Sequence, residues 1–279
     1  MDSSTVNAIG QLAIEAAQAN RIDADTPALI LRTEHAGQQV VSIEHLQPGR
    51  SRFRGAFATR QLPDFAAYVI AETENAARER GSVQGFIDTD NMCAKVFFNL
   101  GNLEHAGHAD HTATLNLKPT AAYAALLAAT ARSLDQRTLH DFVEDWRDNI
   151  TPLFDGQPDA TRLANTLAAI RDITVETARK VNHVERDMGA TRSAMESIDA
   201  RSTLTLPSGF EFRAVPYDGL AERTLRLRLG VITGGDKVAL TLRIQQAEQV
   251  TEDIAKDFRD RLAAKLGTAC PLTLGTFTP

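Results

Sequence analysis

The stretch that decides the fold is Thr224–Ile244, TLRLRLGVITGGDKVALTLRI. Apolar and polar residues alternate in two runs, which are separated by the glycine-containing sequence TGGD at 233–236. A period of two places successive side chains on opposite faces of a strand, so each run predicts a β-strand with one buried face. The short glycine turn between the runs predicts an antiparallel hairpin. The apolar positions are Leu225, Leu227, Leu229 and Val231 in the first run, and Val238, Leu240, Leu242 and Ile244 in the second.

The segments on either side extend this hairpin into a larger element. Phe210, Phe212 and Ala214 alternate with polar residues and predict a third strand, which makes the region an antiparallel meander. From Thr251 onward, apolar residues recur at helical spacing until Gly267, so we expect a helix that covers one face of the sheet. The polar side of the hairpin contains three arginines, Arg226, Arg228 and Arg243.

The first 155 residues have shorter and more mixed patterns. Strand-like runs such as ALILRT at 28–33 and VQGFIDTDN at 83–91 alternate with helical runs, one of which begins near Pro63. Two prolines and a glycine make 151–159 the best candidate for a linker. The sequence therefore predicts an α+β fold with a mixed N-terminal layer of short strands and helices, a long helix, and a C-terminal antiparallel meander with a covering helix. The predicted segments are an N-terminal α+β domain at 1–155, the long helix and a polar connector at 156–201, and the C-terminal sheet plus helix at 202–279.

Composition and charge exclude several classes of protein. The 279 residues have a net charge of −6, which argues against polyanion binding over the whole surface but allows a local basic patch. Two cysteines without framework spacing indicate a reducing compartment, and no apolar run approaches the roughly 20 residues of a membrane span. We therefore expect a cytoplasmic protein without a membrane partner. The sequence lacks a P-loop, a Rossmann glycine fingerprint, a G-x-S-x-G elbow and a C-x-x-C zinc pair, so no cofactor is expected.

The most chemically suggestive run is EHAGHADHT at 104–112. Its spacing, H-x-x-H-x-D-H, lies one residue from the H-x-H-x-D-H signature of metallo-β-lactamase-like hydrolases, in which imidazoles and a carboxylate hold zinc. A different metal site, completed by Asp88 or Asp90, is a second interpretation. The third, which we favour, is an exposed loop between two strands whose polar side chains bond local backbone groups. The candidate metal ligands are His105, His108, Asp110 and His111.

A basic segment, PGRSRFRGAFATR at 48–60, is the candidate nucleic-acid site. If the segment is extended, alternate arginines point the same way at intervals of about 7 Å. That spacing suits the phosphates of an extended single strand, and the interleaved Phe53 and Phe57 are expected to lie in the core under the sheet. The alternative is that these arginines form ordinary surface ion pairs of small energy. The candidate residues are Arg50, Arg52, Arg54 and Arg60.

Several of these runs together resemble a known family. SRFRGAF at 51–57, GFID at 85–88 and FNLG at 98–101, followed by GHADHTATLNLKPTAAYAALL at 107–127, are similar to the YfdQ-like family of phage and prophage proteins, whose function is unknown. The resemblance covers most of the chain and is strongest from about Gln47 to Ile150. It implies a temperate-phage or prophage origin and a location in the host cytoplasm, and it favours an accessory role in DNA metabolism or against host defence. It implies no catalytic residues.

Three hypotheses about function follow. The first is a non-enzymatic, homo-oligomeric phage accessory protein that binds single-stranded nucleic acid or a host protein through the arginine segment and the adjoining sheet. The second is a metal-dependent hydrolase that uses the loop 105–111. The third is a structural or assembly protein whose contacts are a helical N-terminus and the polar connector.

Overall fold

The computed structural model describes residues 20–21, 27–33, 37–78, 83–173, 205–234 and 237–279. Its chain forms two compact units, Met1–Gly55 and Ala56–Pro279. Helices and antiparallel sheets occur in comparable amounts, so the predicted α+β class is confirmed. The N-terminal helix and the polar connector at about 180–201, both expected from the sequence, lie outside the described residues.

The first unit contains a small antiparallel sheet followed by a single helical turn. Its strands are β1 (Asn20–Arg21), β2 (Ala28–Thr33) and β3 (Gly37–Ser42), and the 3-10 helix spans Glu44–Leu46. β2 lies between β1 and β3, which confirms the strand predicted at ALILRT.

The second unit contains two five-stranded sheets and the helices that pack on them. We call the first of these sheet 1; its strand order is β13-β5-β6-β7-β4. The strands are β4 (Gly55–Thr59), β5 (Gln84–Asp88), β6 (Cys93–Phe97), β7 (His111–Asn116) and β13 (Leu272–Leu274). β5, β6 and β7 pair antiparallel, whereas β13 joins the edge of β5 in parallel.

Sheet 2 has the order β12-β11-β10-β8-β9 and contains the predicted meander. Its strands are β8 (Ile150–Phe154), β9 (Gln157–Pro158), β10 (Gly209–Ala214), β11 (Arg223–Gly234) and β12 (Lys237–Ile244). The hairpin β11–β12 and the third strand β10 are antiparallel, as the alternating pattern and the glycine turn predicted.

The helices of the second unit share one apolar core with both sheets. They are α1 (Leu62–Arg78), α2 (Ala121–Thr130), α3 (Gln136–Asp145), α4 (Leu163–Arg171) and α5 (Ala247–Leu266), with a short 3-10 helix at Ala160–Arg162. α5 is the predicted covering helix, and it buries Ile254, Phe258 and Leu262. Phe210 and Leu227 of sheet 2 and Val96 of sheet 1 belong to the same core. Within the described ranges, no helix combines the length and the apolar character needed to cross a membrane.

Residues 151–159 are not a linker, which corrects one prediction. They form the hairpin β8–β9, and β8 also pairs with β10. The turn consists of Asp155 (φ 51°) and Gly156 (φ 76°), and an Asp-Gly pair with positive φ at both positions is a strong hairpin turn. Proline and glycine are common in hairpin turns as well as in linkers, so composition alone could not distinguish the two. The predicted domain boundary at 155 falls inside the second unit, and the described part of the predicted long helix is α4.

Candidate nucleic-acid interface

In the first unit, the arginine segment is held by a carboxylate. Arg54 donates from both terminal nitrogens to Glu44, with Nη1 3.1 Å from Oε1. The same carboxylate accepts from the amide of Ser51 at 3.1 Å and from its hydroxyl at 2.9 Å. The hydrogen bonds from Arg54, and then from the Ser51 amide, lower the pKa of Glu44 to about 2. Arg54 is therefore engaged by a carboxylate that lies just before the segment.

The backbone of this segment is not extended, although the predicted row of arginines required an extended strand. Residues 47–49 and 51–52 are bends, and the strand begins only at Gly55. Arg50 turns back and donates to the carbonyl oxygen of Arg54 at 3.2 Å. Phe53 was expected in the core, but 59% of it is exposed. Nucleic-acid binding by Arg50, Arg52, Arg54 and Arg60 stays a prediction.

The histidine run forms a tight loop with one end in a strand. Asn102 accepts from the amides of Glu104 at 3.0 Å and His105 at 2.7 Å. Gly107 must be glycine, because a Cβ there would collide with the carbonyl of Asn99. His105 and His108 are exposed, while Asp110 accepts from the side-chain amide of Asn99 at 2.9 Å. These hydrogen bonds join residues of the same loop and hold its shape.

His111 is separated from the other histidines because it begins β7 and faces α1. Only 7% of it is exposed, and its ring centroid lies 4.5 Å from that of Phe98. Nε2 of His111 is 3.6 Å from a carboxylate oxygen of Glu72 and 3.4 Å from the hydroxyl of Tyr68. Burial, followed by the charge of Glu72, raises the pKa of Tyr68, which disfavours the tyrosinate that a nucleophile would need. This cluster fastens α1 to sheet 1.

The four predicted metal ligands are thus not brought together. Among the residues that the structure describes, no group of three or more histidine, cysteine, aspartate or glutamate side chains could hold a metal ion. Tyr68 and Glu72 were not found from the sequence. Their i, i+4 spacing on a helix was the available signal, but it could not indicate which strand they face.

The second basic surface is on sheet 2, on the face opposite the core. Because Phe210, Phe212, Leu225 and Leu227 are buried, the residues between them point to the other side of the sheet. We call this side the arginine face. Its residues on β10, β11 and β12 include Glu211, Arg213, Thr224, Arg226, Arg228, Thr241 and Arg243. Arg213 was not singled out from the sequence, although the alternation of β10 implies its direction.

The register brings positive charges together on this face. Arg228 of β11 is directly opposite Arg243 of β12, and both are exposed. Glu211 is opposite Arg226, and their side chains form an ion pair with Nε and Oε1 3.3 Å apart. Glu211 is the only carboxylate among the described residues of β10, β11 and β12 that points to this face, against four arginines. Two like charges directly opposite each other are less favourable in a sheet than two opposite charges.

The chain belongs to the DUF2303 family, described as an uncharacterized conserved protein, whose family model matches residues 2–277. Comparison with curated proteins and with solved structures found no match.

Proposed function

We propose that this DUF2303 member is a non-enzymatic accessory protein that binds single-stranded nucleic acid through the arginine face of sheet 2. The observation that supports the proposal most strongly is the cross-strand pairing of Arg228 with Arg243 on exposed strands. Arg226, also on β11, and Arg213 on the neighbouring strand β10 lie on the same face. Phosphate oxygens could accept hydrogen bonds from guanidinium groups that the register places side by side.

Guanidinium groups suit this partner chemically. Each stays charged at all relevant pH values and offers several N–H donors in a planar fork that matches phosphate oxygens. Arg226 and Arg228 point the same way about 7 Å apart along one strand, and Arg243 lies about 5 Å away across the ladder. The net charge of −6 disfavours binding of a polyanion over the whole surface, so a local cluster of arginines is where a polyanion would bind.

The shape of the face favours a single strand over a duplex. Five strands at about 4.8 Å spacing make a surface about 19 Å wide, whereas the major groove is about 12 Å wide and admits a helix or a two-stranded ribbon. A single strand can instead lie across an open sheet, with its phosphates on the arginines. Contacts of this kind recognise the backbone, so we expect little dependence on base sequence.

The biological setting belongs to the same proposal. The YfdQ-like resemblance supports a phage or prophage protein of the host cytoplasm that acts in DNA metabolism or against host defence. Homo-oligomerisation would place several arginine faces along one strand, and binding at several sites raises the overall affinity without new contacts.

The test is a fluorescence anisotropy titration with labelled oligothymidylate and with a duplex, at low salt. We expect the wild-type chain to bind the single strand, and the variant Arg226→Ala/Arg228→Ala/Arg243→Ala to bind it about tenfold or more weakly. The matched control removes three exposed arginines outside sheet 2, which are Arg137 of α3 and the loop residues Arg132 and Arg147. It changes the net charge equally and should leave binding unchanged. If the wild-type chain binds no DNA or RNA at low salt, the proposal is wrong and a host protein becomes the better partner.

A further inference from the structure

A second aromatic cluster lies on sheet 1, on the face away from the core. Phe86 of β5 and Phe97 of β6 have ring centroids 6.0 Å apart at an interplanar angle of 77°. Phe277 packs on both: its ring is 4.9 Å from Phe86 at 13°, and 5.7 Å from Phe97 at 80°. Nζ of Lys95 lies 4.7 Å from the centre of the Phe97 ring. One lysine therefore lies over one ring of a cluster of three.

This cluster is separate from the main core. Gly85 and Ile87 are buried on the core side of β5, so Phe86 between them faces the other way, opposite Lys95 in the register. Phe97 is only 1% exposed although it lies on this outer side, while Phe277, which packs against it, is 39% exposed. The partly exposed ring of Phe277 thus helps to shield the rings of Phe86 and Phe97 from solvent.

The segment that supplies this cover is tethered by few backbone contacts. β13 has three residues and pairs in parallel with β5. Gly275 adopts a φ of 121° that suits glycine, and its N–H donates to the carbonyl oxygen of Ile87 at 2.8 Å. Residues 276–279 form no strand or helix. Phe277 is therefore held mainly by ring packing, which another flat ring can replace.

We infer that Phe86, with Phe97 packed edge-on beside it, forms a base-stacking platform for single-stranded nucleic acid, and that Phe277 occupies the position of a stacked base. The inference rests on the proposed function and adds a base-contacting surface to it. A base has a flat π-face like that of phenylalanine, and stacking on aromatic side chains is a general mode of binding single strands. Lys95, beside the rings, is placed to contact the phosphate of the stacked nucleotide. Phe277 must leave before a base can bind, so it lowers the apparent affinity of this platform.

The first experiment compares the wild-type chain with Phe277→Ala on two probes, an oligodeoxyadenylate and an abasic oligonucleotide of equal length. Removing the ring should tighten binding of the oligodeoxyadenylate by about tenfold, because stacking becomes available without displacement. Binding of the abasic strand should not change. Adding Phe86→Ala to Phe277→Ala should abolish the gain. Equal affinities of wild type and Phe277→Ala for the oligodeoxyadenylate would overturn the inference.

The second experiment uses the wild-type chain, so it does not depend on the folding of a variant. A single strand that contains 5-bromodeoxyuridine is irradiated with the protein, and cross-linked peptides are identified by mass spectrometry. We expect cross-links at Phe86 or Phe97. Cross-links at other positions only would overturn the inference while leaving the proposed function intact. If the proposed function itself is wrong, both probes in the first experiment fail to bind the wild-type chain.

Discussion

Two segments of this chain have arginines at alternate positions, and they fold differently. In the segment from Arg50 to Arg54, the intervening residues are Ser51 and Phe53, which are both exposed. On β11, the residues that flank Arg228 are Leu227 and Leu229, which are 0% and 7% exposed. The buried leucines fix the direction of the strand, so the arginines must point to solvent. Charged residues at alternate positions therefore point to one exposed face only where the residues between them are buried.

The two segments also differ in the charges that meet their arginines. Glu44 binds Arg54 through both carboxylate oxygens, and Arg50 is turned to a backbone carbonyl. On the arginine face, Glu211 pairs with Arg226, whereas Arg228 is opposite a second arginine. In the first arrangement, Arg54 is bound by Glu44, which lies just before the segment. In the second, two exposed arginines lie side by side, which is the arrangement that our proposal assigns to phosphate binding.

The largest expected effect tests whether the buried side of sheet 2 sets the direction of its arginines. Phe212→Ala should reduce the free energy of unfolding by about 3–5 kcal/mol, because Phe212 is fully buried and its ring stacks on Phe142 at 5.9 Å. Phe53→Ala, the matched control in the other segment, should change it by about 0.5 kcal/mol or less. Urea unfolding followed by far-ultraviolet circular dichroism reports on both units and measures both variants. The fluorescence of Trp146, whose ring lies 6.3 Å from that of Phe212, reports on the second unit. Equal losses would remove the distinction between the segments.

The next prediction compares binding by the two sets of arginines. Arg50→Ala/Arg52→Ala/Arg54→Ala should weaken binding of oligothymidylate by about twofold or less. Arg50 and Arg54 already bind groups of the protein, so this segment should make few contacts with phosphates. The sheet 2 variant Arg226→Ala/Arg228→Ala/Arg243→Ala should have the much larger effect. Anisotropy titrations at one salt concentration compare them directly. The reverse order would assign the interface to the first unit.

A third prediction concerns pH and the first segment alone. The folded pKa of Glu44, about 2, is below its ordinary value of 4.5. The stabilising contact with Arg54 is therefore complete above about pH 4.5, weakens as the pH falls from there, and is lost below about pH 2. Carbon-detected NMR titration of the Glu44 carboxyl should give the low midpoint, and Arg54→Ala should return it toward 4.5. A midpoint near 4.5 in the wild-type chain would show that Arg54 is not held.

The smallest effect should come from releasing Arg54. Glu44→Gln removes the negative charge and leaves Arg54 able to contact one phosphate, so affinity for oligothymidylate should rise by about twofold. Glu74→Gln, on an exposed position of α1, is the control for the change in net charge. If Glu44→Gln raises the affinity by as large a factor as the sheet 2 variant lowers it, the two segments contribute equally to binding.

Sequence patterns predicted the parts of the fold in which local periodicity and burial agree. The alternation of leucines predicted β11 and β12, and the spacing of Ile254, Phe258 and Leu262 predicted α5. The hairpin at 150–158 was missed because proline and glycine are compatible with both a linker and a turn. The opposition of Arg228 and Arg243 depends on register, which the TGGD turn only suggested.

Contacts between distant parts of the chain could not be predicted from these patterns. His111 meets Tyr68 and Glu72 only because α1 packs on β7, and H-x-x-H-x-D-H spacing contains no information about that helix. Phe277 reaches Phe86 only because β13 joins the edge of sheet 1. Such sites are set by tertiary packing, whereas the direction of side chains along one strand is set locally.

The most direct test of the central claim is the salt dependence of single-strand binding by the wild-type chain and by Arg226→Ala/Arg228→Ala/Arg243→Ala. Each lost phosphate contact removes roughly 0.7 from the slope of log affinity against log salt concentration, so the variant should have a slope shallower by roughly 2. The control Arg132→Ala/Arg137→Ala/Arg147→Ala should retain the wild-type slope. Equal slopes for the sheet 2 variant and the wild-type chain would contradict the claim that phosphates bind the arginine face.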